Sequence, residues 1–409
     1  MLSVDEARQR VVDSVQPLEP ADVVVGDAQG LVLALDLVAP HSLPRFDNSA
    51  MDGYALQAVD IAGAGDGTQI ELEVVAEVKA GAPGDDVTVA SGAAARIMTG
   101  APLPPGADTV VPVEETEERD GRVLVAAAVP KGRHVRPAGD DVTAGEVIVR
   151  AGTELGPGEM ALIASMGLSP VPARRGPKVA VMVTGDELVA PEATPAPGQI
   201  RDSNSVALRA LVRESGGEPV PTGYVEDTEA AVVEALQRAA ETSELVVSSG
   251  GVSVGRYDFV KPAVEKLGYI DLWRVAMQPG KPVVLGAIGD TPFLGLPGNP
   301  VSIHIGFEQF VRPAIRKMRG CSSLIRPTIT AVLTEAITKP PGRLHFVRVR
   351  LAHNSAGWRA TPTGPQGSHI QSSLIHCHGV ARFAIEETEL AAGSEVTVEV
   401  WRLPESSEG

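Results

Sequence analysis

The chain has 409 residues, too many for one ordinary core, and domains of roughly 100 to 150 residues each predict about three or four. Hydrophobic residues at 44%, charged residues at 21%, and 43 Gly with 33 Pro describe a folded, turn-rich chain, and aromatics at 3% leave the core to Val, Ala, Leu and Ile, which favours strands. The formal net charge of −17 repels phosphate backbones over most of the surface and excludes nucleic acid as a partner, so a small anionic ligand would need local basic groups, backbone amides or a divalent cation.

Near the N-terminus, Asp5, Glu6, Arg8 and Arg10 stand where a signal peptide needs an apolar run, and no stretch approaches the roughly 18 apolar residues of a membrane span. The two cysteines, Cys321 and Cys377, are too few for a disulfide framework. Together these point to a cytoplasmic protein with no membrane partner.

In chain order, MLSVDEARQRVVDSV carries Ser3 as a cap, Glu6 three residues on, and apolar residues at helical spacing through Val15, which predicts a short helix. Residues 39–145 hold β-rich runs (IELEVVAEV, AAARIM, DTVVPVEE, RVLVAA) between Gly, Pro and Asp clusters, the pattern of a small β domain. After Lys178 apolar strands alternate with helical stretches: VAVMVT, SNSVALRALVRESGG, EPVPTGYV, TEAAVVEALQRAA, ELVVSSGG. Such alternation predicts βαβ units on a parallel sheet. A strand over 282–287 precedes LPGNPVSIHIGFEQFVRPAIRKM, where Asn299 can cap a helix that has Pro300 at its first position. Beyond Ser323 the runs TITAVLT, HFVRVRLA, GVARFAI and EVTVEVWRL predict a C-terminal β domain. The fold class expected is therefore α/β and multidomain, a central βαβ parallel-sheet domain with separate small β domains on its N-terminal and C-terminal sides. The expected divisions are 1–40 plus 145–177 as a linking domain, 41–144 as the β-rich domain, 178–322 as the α/β domain and 323–409 as the C-terminal β domain.

In an open parallel sheet ligands bind beyond the carboxyl ends of the strands, and the residues there are acidic. VAVMVT leads to Gly185, Asp186 and Glu187; TGYV leads to Glu226 and Asp227; LVVSSGG leads through Ser253 and Gly255 to Asp258. Carboxylates that converge raise one another's pKa, a cost that Mg²⁺ with its preference for oxygen ligands would offset; the alternative is that they are caps and turn residues. SSGGVSVG, from Ser248, includes Ser249, Gly250 and Gly251 and can bring backbone N–H groups and hydroxyls to a phosphate. LPGNPVS, with Pro297, Gly298, Asn299 and Pro300, adds a helix N-terminus that favours negative charge. Lys281 in QPGKPV, Arg343 in PPGRLHF and Ser368 in GPQGSHIQSS are a mixture suited to a tetrahedral oxyanion, although solvated surface charge is the default for Lys and Arg. The histidines show no spacing that couples one to a nucleophile. His376, Cys377 and His378, read as part of a strand, would face alternate ways and form no zinc site.

The strings PRFDNSAMDGYA (44–55), RIMTGAPLPPGADTVVPVEE (96–115), TGDEL (184–188), SSGGVSVGRYDF (248–259), PGKP (279–282) and LPGNPVS (296–302) resemble the signature segments of the MoeA family, which includes the E domain of gephyrin. The match is in order and covers nearly the whole chain. The resemblance implies a molybdopterin-binding-like central domain and an elongated homodimer whose active site uses the α/β domain of one subunit and the SAMDGYA-bearing domain of the other. The activity it implies is Mg²⁺-dependent insertion of molybdate into adenylylated molybdopterin with release of AMP, by a molybdopterin molybdenumtransferase. Asp52, Thr99, Asp141, Glu187, Asp227 and Asp258 would be the functional positions, Asp227, Asp258 and Glu187 holding the metal. Pro297 and Pro300 would shape the loop, and Lys281, Arg343 and Ser368 would match the molybdate-binding positions. Other cofactor-synthesis proteins and apo-molybdoenzymes are implied as partners. Two departures stand out: Gln278 replaces a Lys frequent in relatives, which bears on anion affinity, and IHCHGVARF replaces a segment that elsewhere contains Ala-Asn. The rival readings are an adenylyltransferase that uses ATP on molybdopterin and a non-catalytic cofactor-binding scaffold.

Overall fold

The computed structural model describes residues 1–251 and 259–404, without the side chains of Leu272 and Trp273. Contacts divide it into two compact units, one of Met1–Leu35, Ala151–Pro157 and Pro170–Gly409, the other of Asp36–Arg150 and Gly158–Ser169.

In the second unit the β-rich runs of the sequence become a six-stranded sheet in the order Thr109–Pro112, Gly53–Leu56, Ala93–Ile97, Ile70–Val78, Arg122–Val125, Thr116–Arg119. Side chains alternate across the pleat: Tyr54, Leu56, Ala94 and Val111 enter one apolar cluster, and Ala55, Ala93, Ala95 and Val110 enter the other. Both faces of its central strands are thus buried, which is why Gly53–Leu56 has no exposed residue. Residues 36–40, 145–150 and 158–169, expected in a linking domain over 1–40 plus 145–177, cluster with this unit. The reason is local: Leu37–Val38 pairs with Val147–Val149, and Ala39 and Val142 pack on Met166.

The first unit begins with the helix that Ser3 and Glu6 predict. It spans Val4–Asp13, with the Ser3 hydroxyl accepting from the Glu6 amide and the Glu6 carboxylate accepting from the Ser3 amide. Ala21–Val23, Val171–Arg174 and Val32–Leu33 form a small antiparallel sheet. The α/β layer has six strands in the order Glu218–Val225, Lys178–Thr184, Leu245–Ser249, Thr291–Leu296, Pro282–Ile288, Gly268–Arg274. The expectation of a parallel sheet holds for the first four; Pro282–Ile288 is reversed because a tight turn at Gly289 folds it onto Thr291–Leu296 as a hairpin, and Gly268–Arg274 pairs antiparallel with this reversed strand and so runs in the same direction as the first four. The outermost strand carries Pro219 and Pro221, and its pairing with Lys178–Thr184 slips between Val181 and Val183.

Period-2 alternation decides which helix packs where. Val179, Val181, Leu245 and Val247 face a core that holds Leu208, Leu211 and Val212 of the Asn204–Glu214 helix, while Ala180, Met182 and Val246 face Val232, Ala235 and Leu236 of the Glu229–Thr242 helix. The long helix predicted after Pro300 is broken into Pro300–Gly306, a π-helical turn Phe307–Val311 and Arg312–Met318. Such a turn displaces a backbone carbonyl from regular pairing; here the Gln309 carbonyl accepts from Arg8 Nε at 3.1 Å.

The C-terminal strands order as Leu344–Asn354, Gly357–Pro362, Thr328–Leu333, Glu395–Val400, Gly379–Phe383, and the last pairs back with the first, closing a small barrel. Val347, Val349 and Leu351 point inward, whereas Leu344 and Phe346 enter the same core as Leu296 and Ile303. One apolar core therefore joins barrel, α/β layer and N-terminal helix. His376, Cys377 and His378 fall in the turn before Gly379–Phe383 rather than in a strand; His378 Nδ1 accepts from the Leu351 amide at 3.0 Å, and the Cys377 thiol donates to the Gly379 carbonyl at 3.1 Å.

Arg326, at the entrance to the barrel, reaches back to Glu308 of the π-helical turn with two hydrogen bonds of 2.9 Å and to Glu214 with one of 2.7 Å. The Glu308 side chain is 1% exposed. Arg326→Met leaves that carboxylate only the longer 3.9 Å approach of Arg312 Nε and is expected to cost about 3 kcal/mol in a urea titration, whereas Arg326→Met with Glu308→Leu recovers most of the loss. Equal stability of single and double variants would show that the pair is not the cause.

Candidate functional site

Three parallel strands deliver their loops to one edge of the α/β layer. Register places Val183 beside Ser249 and Ser249 beside Leu296, so the turns at 185–187, 250–251 and 297–299 emerge as neighbours. Gly250 has φ +88°, and a Cβ there would come within 3.3 Å of the Thr184 carbonyl, so both backbone conformation and space call for glycine. Its amide donates to the Leu296 carbonyl at 3.0 Å. A cavity of about 740 Å³ lies over these turns, lined among others by Glu187, Gly250, Gly251 and the whole of Pro297–Pro300. That size suits a ligand much larger than an inorganic ion.

The opposite wall is cationic. Met277–Gln278 pairs in parallel with Leu344–His345 and thereby sets the Gln278–Lys281 turn beside Arg343. Lys281, Arg343, Gln366, Gly367 and Ser368 line the same cavity as the glycine turns. The backbone amide of Val301 donates to the Ser368 carbonyl at 3.1 Å. This changes the reading of LPGNPVS: Asn299 stands at the cap position without a side-chain cap bond, Pro300 has no N–H, and the Val301 amide is engaged by Ser368. The helix end is therefore a structural tie, which leaves the 250–251 turn with Lys281, Arg343 and Ser368 as the groups of this cavity whose chemistry suits an anion.

At the acidic corner the Asp227 amide donates to Asp186 Oδ1 at 3.3 Å, and the Glu187 carboxylate folds back so far that a Cβ on Gly185 would meet it at 2.7 Å. Burial raises the Asp227 carboxyl above its ordinary pKa, and the charges of Asp186 and Glu187 add to this, against hydrogen bonds from the Asp186–Asp227 contact and Thr184. Glu187 lines the cavity; Asp227 is not among its lining residues. Ser253, Gly255 and Asp258 lie outside the described residues. Among the described residues no group of three or more His, Cys, Asp or Glu side chains is arranged to hold a metal ion; the donors Asp186, Asp227 and Glu187 have the oxygen chemistry of a Mg²⁺ site.

Asp52, Thr99 and Asp141 belong to the other unit. There Asp52 Oδ1 accepts from both the amide and the hydroxyl of Thr99 at 2.7 Å, and these bonds, the backbone one first, hold the carboxyl below its ordinary pKa. The exposed Asp141 donates its amide to the Leu43 carbonyl at 3.0 Å.

Two residues, Asn204 and Arg348, escaped the sequence reading, and a third, Asp186, was named there without a role of its own. Asp186 is the nearer partner of Asp227, yet in TGDEL nothing separates its role from that of Glu187. Asn204 opens a helix and sends its amide Nδ2 to Ser249 Oγ at 3.1 Å and to the Gly298 carbonyl at 2.8 Å. Arg348 is fully buried, and its Nη2 donates to the carbonyls of Pro365 and Gly367 at 3.2 and 3.3 Å, just before Ser368. Its Nε and Nη1 have no hydrogen-bond partner among the described residues, and burial pushes its pKa down to about 10. The run HFVRVRLA carries no signal that separates Arg348 from Arg350, which is exposed in the same strand.

Family models match the chain in three consecutive pieces: the MoeA N-terminal region (domain I and II) over residues 2–167, a probable molybdopterin binding domain over 180–317, and the MoeA C-terminal region (domain IV) over 330–401. Molybdopterin molybdenumtransferase 2 of Mycobacterium tuberculosis is 39% identical over 409 aligned residues, 98% of this chain and 100% of that one. The molybdopterin molybdenumtransferase of Haemophilus influenzae is 35% identical over 98% of each. The crystal structure of the molybdopterin biosynthesis moeA protein from Pyrococcus horikoshii OT3 superposes with a TM-score of 0.85 at 29% identity, covering 98% of this chain and 100% of that one. The chain belongs to the MoeA family of molybdopterin molybdenumtransferases.

Two measurements test the electrostatics. Because the folded state holds the Asp227 proton more tightly than the unfolded chain, ionisation above the ordinary carboxylate range destabilises the fold, and the penalty vanishes below it. Without divalent cations Asp227→Asn should melt about 1–3 °C above the parent at pH 7, with the gap closing below about pH 4; no gain at pH 7 would remove the repulsion argument. In Thr99→Val the Asp52 carboxyl, followed by carbon-detected NMR, should titrate higher than in the parent yet stay below the ordinary value, since the backbone donor remains.

Proposed function

We propose that the chain inserts molybdenum into molybdopterin, taking adenylylated molybdopterin and molybdate as substrates and releasing AMP. One observation carries this reading: the 250–251 glycine turn, suited to a pyrophosphate, and a cationic wall suited to an oxyanion share a single cavity of about 740 Å³. The names of the relatives and the three matched regions support it.

In this mechanism Gly250 and Gly251 seat the pyrophosphate that joins the pterin to AMP, while Lys281, Arg343 and Ser368 hold molybdate, with Gln278 in place of a further cation. Arg348 adds positive charge behind Ser368 and fixes its loop. Holding both substrates in one cavity makes the metal transfer effectively intramolecular. Molybdate accepts the two dithiolene sulfurs, and an oxo ligand leaves as water with the two thiol protons. Hydrolysis of the phosphoanhydride then frees AMP, a step governed by positioning and charge stabilisation. As the resemblance implies, Asp227 and Glu187 together with Asp258 would hold Mg²⁺, which when bound neutralises charge on the phosphoanhydride. Asp52, Thr99 and Asp141 are assigned to the same reaction through the resemblance, as is the homodimer. Among the described residues no helix is long and apolar enough to cross a membrane, and both cysteines are free buried thiols, which suits a cytoplasmic site of action.

The test supplies adenylylated molybdopterin, molybdate and Mg²⁺ and measures AMP release together with reconstitution of an apo-molybdoenzyme. The parent should do both, Asp258→Ala neither, and Lys281→Ala should raise the half-saturating molybdate concentration about tenfold, the worth of one charged hydrogen bond. Consumption of ATP on non-adenylylated pterin would replace this reading with an adenylyltransferase, and binding without AMP release would replace it with a scaffold.

A further inference from the structure

We propose that Asn204 is a positioning residue that clamps the two glycine-bearing turns of the cavity and so sets the seat of the substrate's pyrophosphate; this rests on the function proposed above. The two hydrogens of one side-chain amide serve both turns, since Nδ2 lies 3.1 Å from Ser249 Oγ and 2.8 Å from the Gly298 carbonyl. The turns need such a clamp. They leave adjacent strands at Ser249 and Leu296, but beyond the Gly250 amide bond to Leu296 the ladder ends, and Gly250 and Gly298 have no side chain of their own to lock them. Packing between them is light: a Cβ on Gly298 would stand 3.9 Å from Gly250 Cα, ordinary contact distance. Without a tie the separation of the two turns is free to drift, and a pyrophosphate held by backbone groups responds to ångström-scale changes.

Asn204 is itself held in place. It is the first residue of the Asn204–Glu214 helix, whose start is fixed by the buried Asp202 carboxylate accepting from the Ser205 amide at 2.9 Å and from the Ser205 hydroxyl. The helix anchors through Leu208, Leu211 and Val212 in the main core. Asn204 also lines the cavity, so the clamp sits at the wall it controls. It lies behind the phosphate seat rather than in the Lys281–Arg343–Ser368 wall, which predicts an effect on one substrate and not the other.

The test compares the parent with Asn204→Ala and Asn204→Gln, which keeps the amide on a longer arm, using turnover and also calorimetric binding of ADP as a pyrophosphate probe. Asn204→Ala should raise KM for adenylylated molybdopterin and Kd for ADP about tenfold, leave half-saturation by molybdate within about twofold, and keep the melting temperature within about 2 °C. Asn204→Gln should restore part of the ADP affinity. Combined with Ser249→Ala, the loss should be smaller than the product of the single losses, because both remove the same bond. Unchanged ADP affinity in Asn204→Ala overturns the clamp, as does a parallel loss of ADP and molybdate binding with a lowered melting temperature, which would make Asn204 a fold residue only. If the parent binds ADP but releases no AMP from the adenylylated substrate, the proposed function fails while the ADP series still decides the clamp.

Discussion

The cavity exists because the C-terminal barrel is pinned to the end of the α/β layer. Two backbone ties do this, the pairing of Met277–Gln278 with Leu344–His345 and the bond from Val301 to Ser368. Each is worth little by itself. They hold because Phe346 and Val380 of the barrel share a fully buried core with Leu296 and Ile303 of the layer, and burial of that kind supplies most of the free energy. The chemistry is polar, but the separation between glycine turns and cationic wall is set by apolar packing one layer below.

Charge within the cavity runs against charge over the whole chain. A net of −17 would oppose an anionic substrate at long range, yet at physiological salt such a field is screened over roughly 8 Å, and what a bound anion meets is its immediate wall. Lys281 and Arg343 face it directly, with the buried Arg348 behind Ser368. The carboxylates are not dispersed either: Asp186, Asp227 and Glu187 gather at one corner of the layer, and the pKa of Asp227 is raised first by burial and further by the charges of the other two. A site with a negative corner and a positive wall can orient a ligand as well as hold it.

Legibility in the sequence followed the range of the interactions. The N-terminal helix was readable because Ser3 and Glu6 settle it within one turn, and the α/β core was readable because strand and helix periods alternate in VAVMVT and SNSVALRALVRESGG. The resemblance located the segments that meet in the cavity. What stayed hidden depends on contacts far apart in the chain. The hairpin that reverses Pro282–Ile288 within the sheet hinges on one short turn at Gly289. The use of the Val301 amide by Ser368 joins residues 67 apart, and the bridge from Asn204 to Gly298 spans 94. Arg348 looks like any strand arginine until the loop before Ser368 folds over it. Local pattern fixes an element, but only the assembled layers reveal which polar groups are already occupied.

The border strand Glu218–Val225 has a consequence beyond the site. Pro219 and Pro221 supply no N–H, and the slip between Val181 and Val183 interrupts the even spacing of backbone groups. A newcomer chain would find no continuous rung to latch onto, so this rim of the layer resists the strand-by-strand growth that turns exposed sheets into aggregates. Copies of the molecule that associate do not do so by extending the sheet along this rim.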